Sequence, residues 1–520
     1  MASTLLPTTD KNSPLSLWLM RYGVSLAFLL GVFLYVSFIS RDLSGGYLLI
    51  FAAVVAGYMA MNIGANDVAN NVGPAVGSQA MTMGGAIALA AICEAAGALI
   101  AGGDVVGTIK SDIIDPSQVK DASEFIWLMA GALLAGALWL NFATWMGAPV
   151  STTHSIVGGV LGAGIAAGGL QIANWPVMGA IVASWVISPV MGGVIAAGVL
   201  FFIKHTIMYR SDVILAAQRF VPWLVALMAW AFGTYLVLKG LSKVWDAGFI
   251  EATLVGLVTA VVVYWLTWRS IRKKAASLEN TRENVNNLFT VPLIFAAGLL
   301  SFAHGANDVA NAIGPLAAIS DALSRGGVVA EASIPLWVMI VGGLGIALGL
   351  AIFGPKLIRT VGGEITELDK SRAFCIAISA AITVIIASQL GLPVSSTHIA
   401  LGGVFGVGFL REFLKTRYAS ELHRIVVKHK GEERERLRLF LNDFRNAPVE
   451  EMRTLLKQAK KNPDKVPLRK RERKRLKRIY RQELVKRQHL YRIGAAWIIT
   501  VPVSAAIGAA MFYVLRGIFV

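Results

Sequence analysis

The sequence predicts an all-α integral membrane protein built as an inverted repeat, with about 11 spans plus two re-entrant half-helix hairpins. The prediction depends on an apolar composition, two duplicated motifs and the opposite directions of the spans that carry them. Of the 520 residues, 56% are hydrophobic and 15% are charged, whereas soluble domains carry about 25% charged residues. No Asp, Glu, Lys or Arg occurs in the 79 residues from Phe125 to Ile203.

The apolar runs are long enough to cross a bilayer, which takes about 20 residues. We place the spans at about 15–40, 47–71, 82–103, 124–148, 174–203, 221–241, 249–268, 291–319, 334–358, 372–391 and 491–516. Two further apolar pieces, at about 149–170 and 393–410, begin with Pro-Val-Ser and follow a span without a charged loop between. We expect these two pieces to form re-entrant half-helices.

The charged loops indicate the sidedness of the chain. The loops at 204–220 and 269–282 are basic, and the loop at 104–124 is acidic. The positive-inside bias places the basic loops in the cytoplasm and, by counting spans, the N-terminus there too. The region 411–490 has 26 Lys and Arg against 11 Asp and Glu, or +15 of the chain's net +17. We expect a helical cytoplasmic extension beside anionic lipid headgroups, and no nucleic-acid partner.

Two motifs occur twice in the same order. GANDVAN spans Gly64–Asn70 and Gly305–Asn311, while PVSTTH ends at His154 and PVSSTH ends at His398. The offsets are 241 and 244 residues, so the chain contains an internal duplication. Span counting makes the first GANDVAN span run inward and the second outward. Inverted repeats with interrupted helices are typical of secondary transporters, whose site lies near the midplane where the repeats meet.

The repeats and the charge pattern divide the chain into six regions. They are a tail with the first span (1–46), the first inverted repeat (47–203), linking spans and cytoplasmic loops (204–290), the second inverted repeat (291–410), the basic extension (411–490) and the last span (491–520).

GANDVAN places a carboxylate inside an apolar span. A charged Asp near the bilayer centre costs at least about 2.5–3.5 kcal/mol, and no Lys or Arg lies near either Asp in sequence. A sodium ion is the natural partner, and a proton on the carboxylate can do the same coupling work. Glycines and prolines around each motif are expected to loosen the helix and free backbone carbonyls. The residues we assign to cation binding or coupling are Asn66, Asp67, Asn307 and Asp308.

The PVS(T/S)TH motifs place three hydroxyls at the N-terminus of each half-helix. Free N–H groups and the positive end of the helix dipole make such a terminus an anion site that needs no basic residue. Two cradles that meet at a pseudo-twofold axis would hold a small tetrahedral oxyanion. The cradle residues are Ser151, Thr152, Thr153, Ser395, Ser396 and Thr397.

Three further residues are candidates for gating or proton-linked roles. His154 and His398 close the two cradles, where each is an anion donor, a proton-sensitive gate or a helix-end histidine bound to a backbone carbonyl. Glu94 lies inside an apolar span with no acidic counterpart in the second half, and an intramembrane Glu is a functional candidate by default.

GANDVANNVGP, GANDVANAIGP and the two PVS(T/S)TH motifs resemble the inorganic phosphate transporter (PiT) family over about 47–203 and 291–410. The resemblance implies a cation-coupled phosphate symporter with an inverted-repeat core, and a homodimer. It also implies that Asp67, Asn70, Asp308 and Asn311 surround phosphate and its cations together with the two hydroxyl triplets. The long charged insertion departs from the family pattern, because it precedes the last span instead of separating the halves.

The sequence thus predicts a secondary active symporter that imports inorganic phosphate across the plasma membrane, coupled to sodium or protons, by alternating access. In a bacterium this is the cell inner membrane. We expect no enzyme activity and no cofactor beyond the transported sodium or proton. A sulfate permease is the nearest alternative, followed by an uncoupled channel. An intramembrane metal-dependent hydrolase using Asp67, Asp308, His154 and His398 is remote, because it leaves the hydroxyl triplets without a role.

Overall fold

The computed structural model describes residues 14–146, 150–241, 245, 247–325, 334–364, 368–427, 431–446 and 487–519, with isolated positions at 455, 458, 459, 466, 468 and 472. Pro149 and nearly half of the basic extension lie outside the described residues. Within them the chain forms helices and short connections, and its β-structure is limited to an isolated bridge between Ile114 and Ala173.

The helices of the first half and of the link to the second are separated by short turns. They are α1 (Pro14–Ile39), α2 (Gly46–Gly77), α3 (Met83–Ala101), α4 (Gly103–Gly107), α5 (Ala122–Met146), α6 (Thr152–Gly168), α7 (Trp175–Ile203), α8 (Val213–Tyr235), α9 (Phe249–Ala275) and α10 (Arg282–Leu288). The second half contains α11 (Thr290–Asp308), α12 (Ala310–Arg325), α13 (Leu336–Glu364), α14 (Lys370–Gln389), α15 (Ser396–Val427), α16 (Gly431–Asn446) and α17 (Arg487–Phe519).

Eleven helical segments among the described residues are long and apolar enough to cross a membrane. This confirms the all-α membrane fold class with about 11 spans, and each segment overlaps one of the predicted spans. The eighth segment comprises both α11 and α12, since Val309 between them keeps helical backbone angles.

Two connections are shorter than predicted. The basic loop expected at 204–220 is reduced to 209–212, because a π-helical turn continues α7 to Met208 and α8 begins at Val213. Likewise, α9 extends to Ala275, so most basic residues of the expected 269–282 loop lie on its last turns. Long basic side chains can reach water from a helix end. The first basic residues in the sequence therefore mark the end of the apolar surface and not the end of the helix.

The two predicted half-helices differ in length. The first is the 17-residue helix α6, as expected. The second was expected to end near 410, but α15 continues to Val427. No proline interrupts this segment, and a helix has no physical reason to stop where its surface changes from apolar to charged.

The two halves interlock through glycines. A methyl group on Gly64 of α2 would lie 2.0 Å from the carbonyl oxygen of Ile346 on α13. In the same way, a methyl group on Gly305 of α11 would lie 2.1 Å from the carbonyl oxygen of Glu94 on α3. Glycine is required for this close approach of membrane helices. Each GANDVAN helix thus packs on a helix of the other half, and Ile346 occupies the place equivalent to Glu94.

Each half-helix packs against the span that follows the half-helix of the other half. A methyl group on Gly162 of α6 would lie 2.0 Å from the carbonyl oxygen of Ala505 on α17, and one on Gly406 of α15 would lie 2.0 Å from that of Gly193 on α7. The last span is therefore part of the helical core. This packing places the N-termini of α6 and α15 against each other.

The two GANDVAN motifs differ in backbone. The first lies within the continuous helix α2, whereas the second is interrupted at Val309. The loosening expected around each motif therefore does not break the helix in the first copy. However, Pro74 and Pro315 have no N–H to donate, so the carbonyls of Asn70 and Asn311 lose their usual helical donors. In both halves, therefore, a proline leaves one backbone carbonyl of the motif without its helical hydrogen-bond donor.

Candidate functional site

The buried polar residues of both halves converge where α2, α11, α12 and the N-termini of α6 and α15 meet. Asp67 and Asp308 are each 1% exposed, and no residue of the two hydroxyl triplets is more than 3% exposed. A carboxylate at such burial needs donors or a counter-ion. The hydrogen bonds below show which groups supply the donors.

The first hydroxyl of each triplet caps its helix. Ser151 Oγ accepts a hydrogen bond from the N–H of His154 at 3.2 Å, and Ser395 Oγ accepts one from the N–H of His398 at 3.3 Å. This is the usual role of Ser at a helix N-cap. The cap fixes the direction of each helix end, and its hydroxyl hydrogen remains available to a ligand.

The two helix tips lie against each other, as the inverted repeat predicts. Thr153 donates to the carbonyl of Val394 at 2.9 Å. The rings of His154 and His398 pack nearly perpendicular, with centroids 4.6 Å apart, and the Trp185 ring lies 3.8 Å from that of His154. Two helix N-termini thus direct their partial positive charges towards one small volume, which favours an anion there.

The other hydroxyls donate to the two carboxylates. Thr397 donates to Asp67 Oδ1 at 2.8 Å. Ser396 and Thr152 donate to Asp308 Oδ2 at 3.1 and 3.4 Å. Asp67 is therefore bound by the tip of the opposite half, and Asp308 is bound by both tips. The donors predicted to cradle an oxyanion are held by the protein's own acidic oxygens in this structure.

The first asparagine of each GANDVAN motif binds the backbone at the tip of its own half. Asn66 donates to the carbonyl of Val150 at 3.2 Å, and Asn307 donates to that of Leu392 at 3.2 Å. An amide that holds a loop carbonyl in this way presents its own oxygen elsewhere. These residues therefore position the tips and retain an acceptor for a cation.

The second asparagine of each motif binds the hydroxyls of the opposite tip. Asn70 donates to Thr397 Oγ1 at 2.8 Å, and Asn311 donates to Thr153 Oγ1 at 3.1 Å. Because the donor is an N–H group, each threonine hydroxyl is left to donate its hydrogen onward. The two asparagines of one motif thus connect it to both tips of the molecule.

A residue that the sequence analysis did not select lies between the acids. His304 Nε2 is 3.1 Å from Asp308 Oδ2 and 3.8 Å from Asp67 Oδ2, and its Nδ1 is 3.2 Å from Glu94 Oε2. The residue is fully buried. Its place directly before GANDVAN, one helical turn from Asp308, was the available sequence signal. Position 63, which precedes the first motif, is an isoleucine.

Glu94 is joined to the aspartates through this histidine. It also accepts a hydrogen bond from Asn71 Nδ2 at 2.8 Å. Like His304, Glu94 is 0% exposed, and a polar group at such burial needs hydrogen-bond partners. Three carboxylates and one imidazole therefore form a single connected group, and Glu94 belongs to it without an equivalent acid on α13.

Several buried oxygens in and next to this group are candidate ligands for a positive ion. Among the described residues, buried oxygens without a hydrogen-bond donor include Asp67 Oδ2, Asp308 Oδ1, Asn307 Oδ1 and Asn311 Oδ1. Carboxylate and amide oxygens are the ligands of hard cations. One ligand atom from each of Asp67, His304 and Asp308 also lies within 4.8 Å of the others. The residues therefore fit a cation that sits between the two halves.

The fold and the site together define a membrane transporter of small ions. The comparisons with known proteins place the chain more narrowly. A model of the phosphate transporter family matches residues 63–508, and the chain belongs to this family. Membership confirms the resemblance to phosphate transporters and the expectation that the protein is not an enzyme.

Relatives and a solved structure agree with this assignment. A "Putative phosphate permease" of Helicobacter pylori J99 is 55% identical over 507 residues, which is 95% of each chain. A relative of Pyrococcus horikoshii with the same description is 40% identical over 363 residues, covering 70% of this chain and 89% of its own. A solved structure named "The sodium-dependent phosphate transporter" is 32% identical, with a TM-score of 0.74 over 91% of this chain and all of that one.

Proposed function

We propose that this chain is a secondary active symporter that imports inorganic phosphate across the plasma membrane by alternating access. The observation that carries the proposal is the convergence of two hydroxyl-bearing helix tips on two buried carboxylates. In a bacterial cell the membrane is the inner membrane. The N-terminus faces the cytoplasm by the positive-inside bias, and the working form is a homodimer surrounded by lipid.

Phosphate binds between the tips of α6 and α15. Its oxygens accept hydrogen bonds from the hydroxyls of both triplets and from the free N–H groups of the first helical turns. Asn70 and Asn311 contribute as amide donors, since both already contact hydroxyls of the opposite tip. A tetrahedral anion can meet donors that approach from two sides, whereas a planar carboxylate uses fewer of them.

Cation binding releases the hydroxyls for phosphate. In the structure, Thr397 and Ser396 donate to Asp67 and Asp308. A cation at the carboxylates neutralises them and weakens those hydrogen bonds, so the hydroxyls turn to an incoming oxyanion. Phosphate in turn offsets the charge of the cation near the midplane. The two ligands therefore bind with positive cooperativity, which is the thermodynamic basis of symport.

Sodium is the coupling ion that the oxygen ligands favour. The unpaired carboxylate and amide oxygens suit a hard cation, and the similar solved structure is described as sodium-dependent. A proton is the other candidate, because His304 lies between Asp308 and Glu94 and can carry it. Glu94, His154 and His398 then serve in gating or proton-linked steps.

Uptake of labelled phosphate into proteoliposomes tests the proposal. An inward sodium gradient and an inward proton gradient are imposed separately, with excess sulfate as the competitor. We expect the sodium gradient to drive accumulation, and sulfate to compete weakly. Uptake driven only by the proton gradient would replace sodium with a proton. Efficient competition by sulfate would indicate a sulfate permease, and equilibration without accumulation would indicate a channel.

A further inference from the structure

A cavity of about 700 Å³ lies beside the transport site and is lined by α3, α8, α9, α10 and α11. Its wall on α9 extends from Thr259 to Lys274, which is about 22 Å at 1.5 Å per residue. The hydrocarbon core of one leaflet is about 15 Å deep, half of the bilayer's roughly 30 Å. The cavity is thus long enough to take an extended acyl chain.

The residues that line the cavity are apolar at one end and polar or basic at the other. The deep end is apolar, with Phe232 and Phe302 in edge-to-face contact at 5.3 Å between ring centroids. The other end carries Ser270, Lys274 and Asn287. An apolar tunnel that ends in an ammonium group matches an amphiphile with a negative headgroup.

The cationic end is built from two helices. Lys274 is exposed on the last turn of α9. The ammonium of Lys370, at the start of α14, donates to Asn287 Oδ1 at 2.9 Å. It therefore lies beside the same end of the cavity. Arg272, in contrast, lies over the Trp268 ring at 5.2 Å. Two lysines are therefore available to a headgroup phosphate.

The cavity opens sideways through an apolar surface. Leu266, Val291 and Phe295 line it and are 52%, 44% and 64% exposed. On a membrane-spanning face, such exposed side chains contact lipid tails. A lipid acyl chain from the surrounding bilayer can therefore enter between α9 and α11 without crossing a polar barrier.

We propose that this cavity binds one anionic glycerophospholipid, with an acyl chain between α9 and α11 and the headgroup phosphate at Lys274. The bound chain contacts Cys93 and Phe302, which lie one and two residues from Glu94 and His304. It thus fills the space behind the contact of α3 with α11. The lipid site is separate from the phosphate site and does not depend on the proposed transport cycle.

Lipid binding to the purified full-length protein tests the assignment. Native mass spectrometry in detergent counts bound dioleoyl-phosphatidylglycerol and, as the neutral lipid with the same chains, dioleoyl-phosphatidylcholine. We expect the first phosphatidylglycerol to bind more tightly than phosphatidylcholine. Lys274→Ala should weaken its binding about fivefold, the contribution of one basic residue at an anionic lipid surface. Lys273→Ala is the matched control, because Lys273 is exposed on the same turn but does not line the cavity.

A second pair of variants tests the cavity itself. Ala229→Phe adds a ring inside the cavity and should remove the tight lipid, whereas Leu254→Phe on the exposed surface of α9 should leave it bound. Size-exclusion profiles show that each variant is folded. Equal binding of the two lipids, or equal effects of the two lysine variants, would overturn the proposal. So would rapid disulfide formation between copies of Phe295→Cys in a Cys93→Ala/Cys375→Ala background, because a second copy would then cover the opening.

Discussion

The two halves of the molecule share a scaffold but differ in the residues around their acids. His304 precedes the second GANDVAN motif, while Ile63 precedes the first. Glu94 faces the second motif's glycine, while Ile346 faces the first. The polar pair therefore occurs on one side of the pseudo-twofold axis only. Duplication supplies the symmetric cradle, and divergence at two positions supplies an asymmetric charge group beside it.

This difference gives the two aspartates unequal surroundings. Asp308 Oδ2 is within 3.1 Å of His304 and accepts hydrogen bonds from Ser396 and Thr152. Asp67 Oδ1 accepts from Thr397 and Asn66, and its second oxygen is 3.8 Å from His304. Asp67 thus has the weaker set of partners. A cation should contribute more to stabilising Asp67 than Asp308.

The largest expected effect is on driven uptake by aspartate variants. Asp67→Asn and Asp308→Asn each remove a carboxylate that we propose as a cation ligand, and we expect driven phosphate uptake to fall more than about 100-fold, beyond the effect of losing an outer-shell partner. Uptake is measured in proteoliposomes, with Asp112→Asn as the control because that residue is exposed in a connection. Normal driven uptake by both variants would remove the cation site from these two residues.

A buried ion pair between the halves gives a second test of the asymmetry, in which the stability of the protein is measured. Lys110 forms a buried ion pair with Asp321 on α12, and the position 241 residues before Asp321 is Ala80. Lys110→Met should lower the free energy of unfolding by about 3–5 kcal/mol, because it leaves a buried charge without its partner. Unfolding in detergent measures the change.

The double variant Lys110→Met/Asp321→Leu should recover much of the loss, since neither charge then remains buried alone. Lys120→Met is the control for removing an exposed lysine. The single variant Asp321→Leu completes the comparison. If the double variant loses as much free energy of unfolding as the two single variants together, the pair does not act as a coupled unit.

The asymmetric pair can be made symmetric by substitution. His304→Ile copies the first half and leaves Glu94 without its imidazole, so we expect uptake to fall about 10–100-fold, as for outer-shell partners of ion ligands. Adding Glu94→Ile removes the stranded acid and should raise the melting temperature above that of His304→Ile alone. Thermal unfolding and uptake are measured on both variants. A lower melting temperature for the double variant would contradict the assigned pairing.

The smallest expected effects compare equivalent hydroxyls. Thr397 reaches Asp67 and Thr153 reaches the Val394 carbonyl. Replacing either by valine keeps its shape but removes about 1 kcal/mol of hydrogen bonding, or roughly a fivefold rise in KM for phosphate. Thr206→Val, outside the site, should leave KM unchanged. An increase confined to one variant would show that the two cradles bind phosphate unequally.

Much of the fold followed from the sequence because lipid restricts a chain to few structures. Backbone groups in the hydrocarbon must be paired within the segment, so apolar runs of sufficient length form helices. Helix ends were less predictable, as α9 and α15 show. Both continue past the point where charge appears, and local hydrogen bonding gives a helix no signal to end there.

Repetition and buried charge marked the candidate residues in the sequence, and His304 was missed because it shows neither signal. The repeated motifs indicated Asp67, Asp308 and the hydroxyl triplets, whereas His304 occurs once and has no marked partner in sequence. Its importance depends on Glu94, which lies 210 residues earlier in the chain. The glycines that bring α3 against α11 create this proximity.

The sequence by itself determined the membrane fold, the inverted duplication and the chemistry of its two motifs, because hydropathy and repetition are local and readable along the chain. Only the tertiary structure decided which hydroxyl meets which carboxylate, and that Glu94, His304 and Asp308 form one group. Such pairings depend on the packing of helices distant in sequence, which glycines allow to approach closely.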